Sequence, residues 1–459
     1  MKRSIYILLF CALALTACTK YLDIKPYGKT IPKTPDEFAA LLHAIIEDID
    51  YGEEIIVGDV KSVADLECYS DNLEANLTEY PKGDYLPLYI GTHLSGKTRR
   101  YKDLYEVIKD CNIILDNMTD KESELAKEVL GTAYSIRGIC YYNLLRDFCE
   151  PPVGNMQGLG MPLIVQFDME ARLPRSSIAQ TFRQAEHDML TALNYNIQNK
   201  LYRITADVVE GYLARLYFWV GEWGSASEYA GKVMTKHAMV TGSEYTNMLK
   251  AELTARGNMI LKSAILYDAT KQNQYSNQKD LVRSRPLSKR FVDLFVEKEK
   301  DIRYALTFDK WRLSVKSPFA GMRTAEMNLI LIESLYHSGD KPGALAALNE
   351  FRRLRIDGVT DYTMETLPEV KTDGLITSDV YGNPLTPLLN AILNERNKEL
   401  YMEGDRWYEL KRNGRPEFWV AKQGRKYTTF SYMYTFPFPI QDVELVDGMI
   451  QNPGYDKVE

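Results

Sequence analysis

Apolar residues recur along much of this chain with the period of a helix. Phe38, Leu41, Leu42, Ile45 and Ile46 fall on one side of a 3.6-residue turn. They follow Thr34-Pro35-Asp36-Glu37, where Thr and Glu can cap each other and Pro fits the first helical position. Tyr101, Leu104, Tyr105, Ile108 and Leu115 line a second amphipathic stretch. Val129, Ala133, Arg137, Tyr141 and Leu144 line a third, which Pro151-Pro152 stops. Ser177 with Gln180 opens a further helix through Leu193, and Thr205 another through Gly221.

Two of these stretches repeat one design. Ala214–Gly221 precedes Ala226 by the offsets with which Ile332–Gly339 precedes Ala344. In each, a helix ends at glycine and a small residue five positions on starts the packing face of the next helix. That is the helix–turn–helix logic of tetratricopeptide units. The copies lie far apart, which predicts degenerate pairs separated by insertions and no regular solenoid.

Periodicity fails near residues 50–100, 254–320 and 357–387, where loop insertions are expected. Short strands are expected at Met259–Tyr267 and Tyr304–Leu313, and an extended stretch at Tyr434–Ile440.

The densest pattern follows Leu388, Leu389, Ile392 and Leu393. Glu395, Glu399 and Glu403 recur every four residues and stack three carboxylates along one helix side. Such a row repels itself unless cations reach it, and Arg396, Arg406 and Arg412 are the expected ones. Gly404 is expected to end the helix in a left-handed cap, with Arg406-Trp407 turning back on it. Glu395 and Glu399 could be a catalytic pair, but a charge cluster locking the helix to its neighbours is the favoured reading, since structural ion networks also perturb carboxylates.

This run, E-R-x-x-E-L-x-x-E-G-x-R-W-x-x-L-x-R, resembles the signature of the SusD/RagB family of Bacteroidetes outer-membrane lipoproteins. Asp405 and Glu409 depart from the usual residues but keep polar or acidic character. Cys18-Thr19-Lys20-Tyr21-Leu22-Asp23, the Arg323-x-x-Glu326 helix with Asn349 and Arg352, and Gln451-Asn452-Pro453-Gly454-Tyr455 extend the resemblance over nearly the whole chain. It implies a predominantly all-α fold of TPR-like helical pairs forming a scaffold, with long irregular loops carrying ligand recognition. It also implies a lid-like seat on a SusC-like TonB-dependent transporter, to which glycan or another nutrient is delivered.

The N-terminus changes the picture of location. Lys2 and Arg3, the apolar Ile5–Leu15 and Leu15-Thr16-Ala17-Cys18 read as a lipoprotein leader over residues 1–17, with Cys18 acylated. Residues 18–459 are then one SusD-like domain, anchored by lipid to the outer membrane and facing the exterior. Losing Lys2 and Arg3 leaves the rest more acidic than the formal −7, with no basic cluster of nucleic-acid type. Cys68, Cys111, Cys140 and Cys149 have no metal spacing, three of them in helical patterns where buried thiols are expected, and five scattered histidines offer little to a metal.

Gly91-Thr92-His93-Leu94-Ser95-Gly96-Lys97-Thr98 matches the P-loop pattern in full, and Ala264–Asp268 imitates its acidic partner. Pro87 sits where a central strand needs an N–H, the chain reads as helix pairs, and an exported protein meets no ATP pool. The match is read as accidental.

No catalytic constellation is recognisable, so the chain reads as a binding protein without a cofactor. The alternatives are a surface glycoside hydrolase and a peptide-binding or structural lipoprotein. Sugars stack their C–H faces on aromatic rings while amides and charged groups reach their hydroxyls. Tyr69, Asp71, Asn72, Tyr85 and Tyr89 (with Tyr80) in one irregular region, and Tyr275 and Trp311 in another, are the candidate ligand contacts.

Overall fold

The computed structural model describes residues 32–51, 56–77, 86–168, 170, 172–251, 257–263 and 269–455. The leader, Cys18, Tyr80, Tyr85 and the Ala264–Asp268 run lie outside the described residues.

The fold is predominantly α-helical. Helices of eight residues or more are α1 (Pro35–Tyr51), α2 (Val60–Tyr69), α3 (Leu94–Asn117), α4 (Glu124–Phe148), α5 (Ile178–Tyr195), α6 (Ala206–Val220), α7 (Trp223–Lys236), α8 (Gly242–Lys250), α9 (Ala269–Arg283), α10 (Thr324–His337), α11 (Lys341–Arg353), α12 (Pro387–Leu400) and α13 (Asp405–Arg412). Successive helices from α3 to α7 pack on one another; α7 then packs on α10, and α10 on α11 and α12. This is the stacking of TPR-like pairs.

Local chemistry sets the helix ends. Ser177 and Gln180 form the reciprocal capping box at α5, as Thr34 and Glu37 do at α1. Gly221 and Gly339 both take positive φ, 82° and 91°, which lets the chain leave α6 and α10 in a left-handed turn. Ala226 and Ala344, the two small residues of the repeat, are fully buried. One apolar core runs through these helices from Phe38 to Met449, and the four cysteines Cys68, Cys111, Cys140 and Cys149 are buried free thiols.

A second layer leans on α2, where α9 and α13 pack. A smaller apolar cluster lies there, including Cys68, Phe291, Phe295, Phe308 and Tyr401. Two small sheets complete the layer. β1 (Asn76–Leu77) pairs parallel with β4 (Phe418–Lys422), which pairs antiparallel with β5 (Arg425–Thr429); β2 (Met259–Lys262) pairs antiparallel with β3 (Gly321–Arg323).

Several expected elements differ. Tyr304–Thr307 is a short helix, because Asp301 accepts the Arg303 amide and starts a helical turn there. The regions expected to be irregular contain α2 and α9. α12 ends at Leu400, and Gly404 (φ 73°) stands before α13 as its N-cap, not as the C-cap of a longer helix. Between them, Met402 also has positive φ, at 60°. Glu403 therefore lies in the turn.

Candidate functional site

The glutamate row is neutralised mostly by cations distant in sequence. Glu395 meets Arg303 at 2.7 Å and Lys398 at 2.7 Å. Glu399 meets Arg323 at 3.1 Å and Arg355 at 2.9 Å, all three side chains fully buried. Glu403 binds Lys316 at 2.9 Å and also Arg323. The arginines expected to serve the row turn elsewhere: Arg396 to Asp405, Arg406 to Asp71 and Glu409, and Arg412 to Glu333. Neighbouring helix positions point about 100° apart, so Arg396 cannot lie along the face that carries Glu395. Trp407 is fully buried against Tyr434, their ring centroids 4.5 Å apart.

Burial alone would raise the Glu399 carboxyl, but Arg355 and Arg323 outweigh it and hold it well below the usual range. Burial loses again at Glu333, where Arg412 brings the carboxyl to about 2. At Glu67 burial wins: the carboxyl rises to about 7 although it accepts the Met402 amide at 2.9 Å. With each glutamate of the row held by at least two cations, the cluster clamps α12 between α10, α11 and the loop layer.

Beside the clamp lies a cavity of about 130 Å³, lined among others by Lys97, Arg146, Arg215, Trp219, Glu326 and Tyr408. The P-loop-like residues approach it without forming a cradle. Ile90–Thr92 is a 3-10 turn, and α3 starts at Leu94, so Gly96, Lys97 and Thr98 belong to a helix. Lys97 points inward, its Nζ 5.1 Å from the Tyr69 ring and 5.4 Å from that of Phe436.

The candidate contacts separate into two sets. Tyr69 is buried, edge-on to Trp407 at 6.0 Å. Asp71 is buried in a two-oxygen pair with Arg406. Asn72 and Asn397 exchange two amide hydrogen bonds of 3.0 Å each. Tyr275 is buried, its hydroxyl accepting from Lys262 at 2.8 Å. These four are spent on internal contacts. Trp311, by contrast, is 64% exposed, and Tyr89 is half-buried against Tyr427 at 5.2 Å.

Trp311 and the β4–β5 hairpin are joined through β1. Arg312 reaches Glu74 at 2.7 Å, and Asn76, two residues on, pairs with Ala421. Trp419, two residues before Ala421, is 40% exposed on the same strand, and Phe430 beyond β5 is 43% exposed. The structure thus sets Trp311, Tyr89, Trp419, Tyr427 and Phe430 around the small sheet, with Trp419 and Tyr427 on opposite sides of the hairpin, since Trp419 pairs with Thr428 and Tyr427 with Val420. The last three were not among the expected contacts. The signal for them was available: Gln423-Gly424 between two strand-like runs, both with positive φ, forms the two-residue turn of a tight hairpin.

The model described as the SusD family matches residues 214–455. A second, described as starch-binding associating with outer membrane, matches residues 20–218. No curated protein matches the chain. Among solved structures, a SusD superfamily protein from Bacteroides thetaiotaomicron is similar with a TM-score of 0.71 at 19% identity, covering 92% of this chain and 100% of that one. A SusD-like carbohydrate binding protein from Bacteroides vulgatus has a TM-score of 0.64 at 17% identity, over 91% and 98%. A SusD superfamily protein from Bacteroides fragilis has 0.67 at 17%, over 92% and 100%. At these identities the likeness is one of fold.

Proposed function

The chain belongs to the SusD family, and on that footing we propose that it captures glycan at the outer-membrane surface and passes it to a SusC-like TonB-dependent transporter. In this reading residues 1–17 are a leader, Cys18 carries the lipid, and residues 18–459 act as one unit that binds without catalysis. Support for the ligand comes from the named carbohydrate binding relative, and for the location from the family description that includes the outer membrane.

One observation carries the reading: two indoles, Trp311 and Trp419, stand exposed on segments tied together through β1. Exposed aromatic surface at a loop end is where a sugar face stacks. Tyr89, Tyr85 and Phe430 are the further candidate contacts, while Tyr69, Asp71, Asn72 and Tyr275 hold the loops from behind.

The test is calorimetric titration of a glycan panel into the protein and its Trp311→Ala/Trp419→Ala variant. Each stack contributes on the order of 1 kcal/mol, so the double variant should bind roughly 10- to 30-fold more weakly. Its melting temperature should hold, because neither ring is buried. Unchanged affinity would remove these residues from the site, and a collapsed melt would return them to the core.

A further inference from the structure

Resting on that reading, the geometry points to an anionic saccharide, one bearing uronate carboxylates or sulfate esters, as the class the two exposed indoles take. The whole chain is acidic, with 56 lysines and arginines against 63 aspartates and glutamates. The segments that carry the indoles and the strands and loops tied to them reverse this: residues 71–77, 283–293, 309–313 and 417–429 hold nine cations and five acids.

The acids are largely consumed. Asp71 pairs with Arg406, Glu74 with Arg312, and Asp309 with Arg283 while it also accepts the Trp311 and Leu313 amides. Glu417 accepts the Ser431 amide at 3.1 Å. Asp293 is the one acid of these segments with no partner among the described residues. Lys289, Lys310, Arg425 and Lys426 are exposed, and among the described residues none has a carboxylate partner.

Two of these cations stand on the indoles. Lys310 Nζ lies 4.2 Å from the Trp311 ring and Lys426 Nζ 5.4 Å from the Trp419 ring. An exposed ammonium over a ring gains little by itself. It does place a donor beside the surface on which a sugar would stack, within reach of a substituent carried at the edge of that sugar. A carboxylate or sulfate there would gain a charge-assisted hydrogen bond that a hydroxymethyl group cannot match. Unpaired cations beside the indoles of an otherwise acidic protein also draw an anionic chain toward them and leave neutral ones unsteered.

The experiment compares ligands that differ in charge alone. Polygalacturonate oligosaccharides and their fully methyl-esterified counterparts, dextran sulfate and dextran, and soluble starch as neutral reference are titrated into the protein. At least one acid form is expected to bind about tenfold or more tighter than its neutral twin, with the gap closing as salt screens it. Lys310→Gln/Lys426→Gln should lose about tenfold for that acid form, nothing for the neutral twin, and no thermal stability. Trp311→Ala/Trp419→Ala should weaken the same acid form; if it does not, the attraction is mere ion exchange and the inference falls. Equal binding of both twins, or binding of neutral saccharides alone, overturns the inference and leaves glycan capture standing. Failure of every saccharide to bind overturns both.

Discussion

Arg323 and Glu399, 76 residues apart in sequence, meet at 3.1 Å with neither side chain exposed. Arg355, two residues past the end of α11, reaches the same carboxylate, so one residue of α12 is gripped from two sides. A lone charge in that position would be costly, and the group is tolerated because its partners arrive in fixed geometry.

Glu399→Ala should therefore cost roughly 3–5 kcal/mol, since it strands Arg355 in the interior and leaves Arg323 with Glu403 alone. Urea denaturation of the two proteins side by side measures it. An unchanged midpoint would mean that the clamp is solvated and holds nothing.

The Glu333–Arg412 pair beside the clamp sets an acid limit. Glu333 ionises at about 2 in the fold and at 4.5 ordinarily, so its contribution is complete above 4.5 and fades as pH falls toward 2. Glu67 runs the other way. Raised to about 7, it favours the protonated form in the fold, and stability is lost as pH climbs from 4.5 to 7. Denaturation midpoints across pH 2–8 should show both slopes. Glu67→Gln should flatten the upper one, and a wild-type curve already flat there would refute the assignment.

Lys97 offers a test of the P-loop resemblance. ATP should show no heat of binding, and Lys97→Met should leave glycan affinity unchanged. Because Lys97 sits between Tyr69 and Phe436 with no carboxylate partner among the described residues, the same variant should melt no lower than the wild type. Micromolar ATP binding that disappears in the variant would contradict this.

The proposed lipid anchor is tested at Cys18. With a clickable fatty-acid analogue supplied to cells, the wild type should be labelled, and Cys18→Ala should be unlabelled and unprocessed. Label on the variant would place the lipid elsewhere.

What could be read from the residues was mostly local. Periodicity located α1 and α3 through α6, and Ser177 with Gln180 marked a cap that forms as expected, because both signals act within a few residues. The need for counter-charges along Glu395, Glu399 and Glu403 was legible, but their source was not: Arg303, Arg323 and Arg355 come from 44 to 92 residues away. Which helix end Gly404 serves is not legible, because a left-handed residue suits a stop and a start alike. Among the loop aromatics, composition could not separate Tyr275, whose hydroxyl is taken by Lys262, from Trp311, which faces solvent.

The clamp has a consequence for the order in which the chain is made. Until residues 399–403 exist, Arg323, Arg355 and Lys316 are cations destined for the interior with nothing to neutralise them, while Arg303 has Asp301 alone. A half-made chain that buried those three early would carry an uncompensated charge for each, so premature collapse is opposed. The late glutamates then act as a timer: the scaffold closes around them after the segments it must enclose have been synthesised. A chain stopped at residue 390 is accordingly expected to stay protease-sensitive throughout, and one that resisted digestion would show that the timer is not needed.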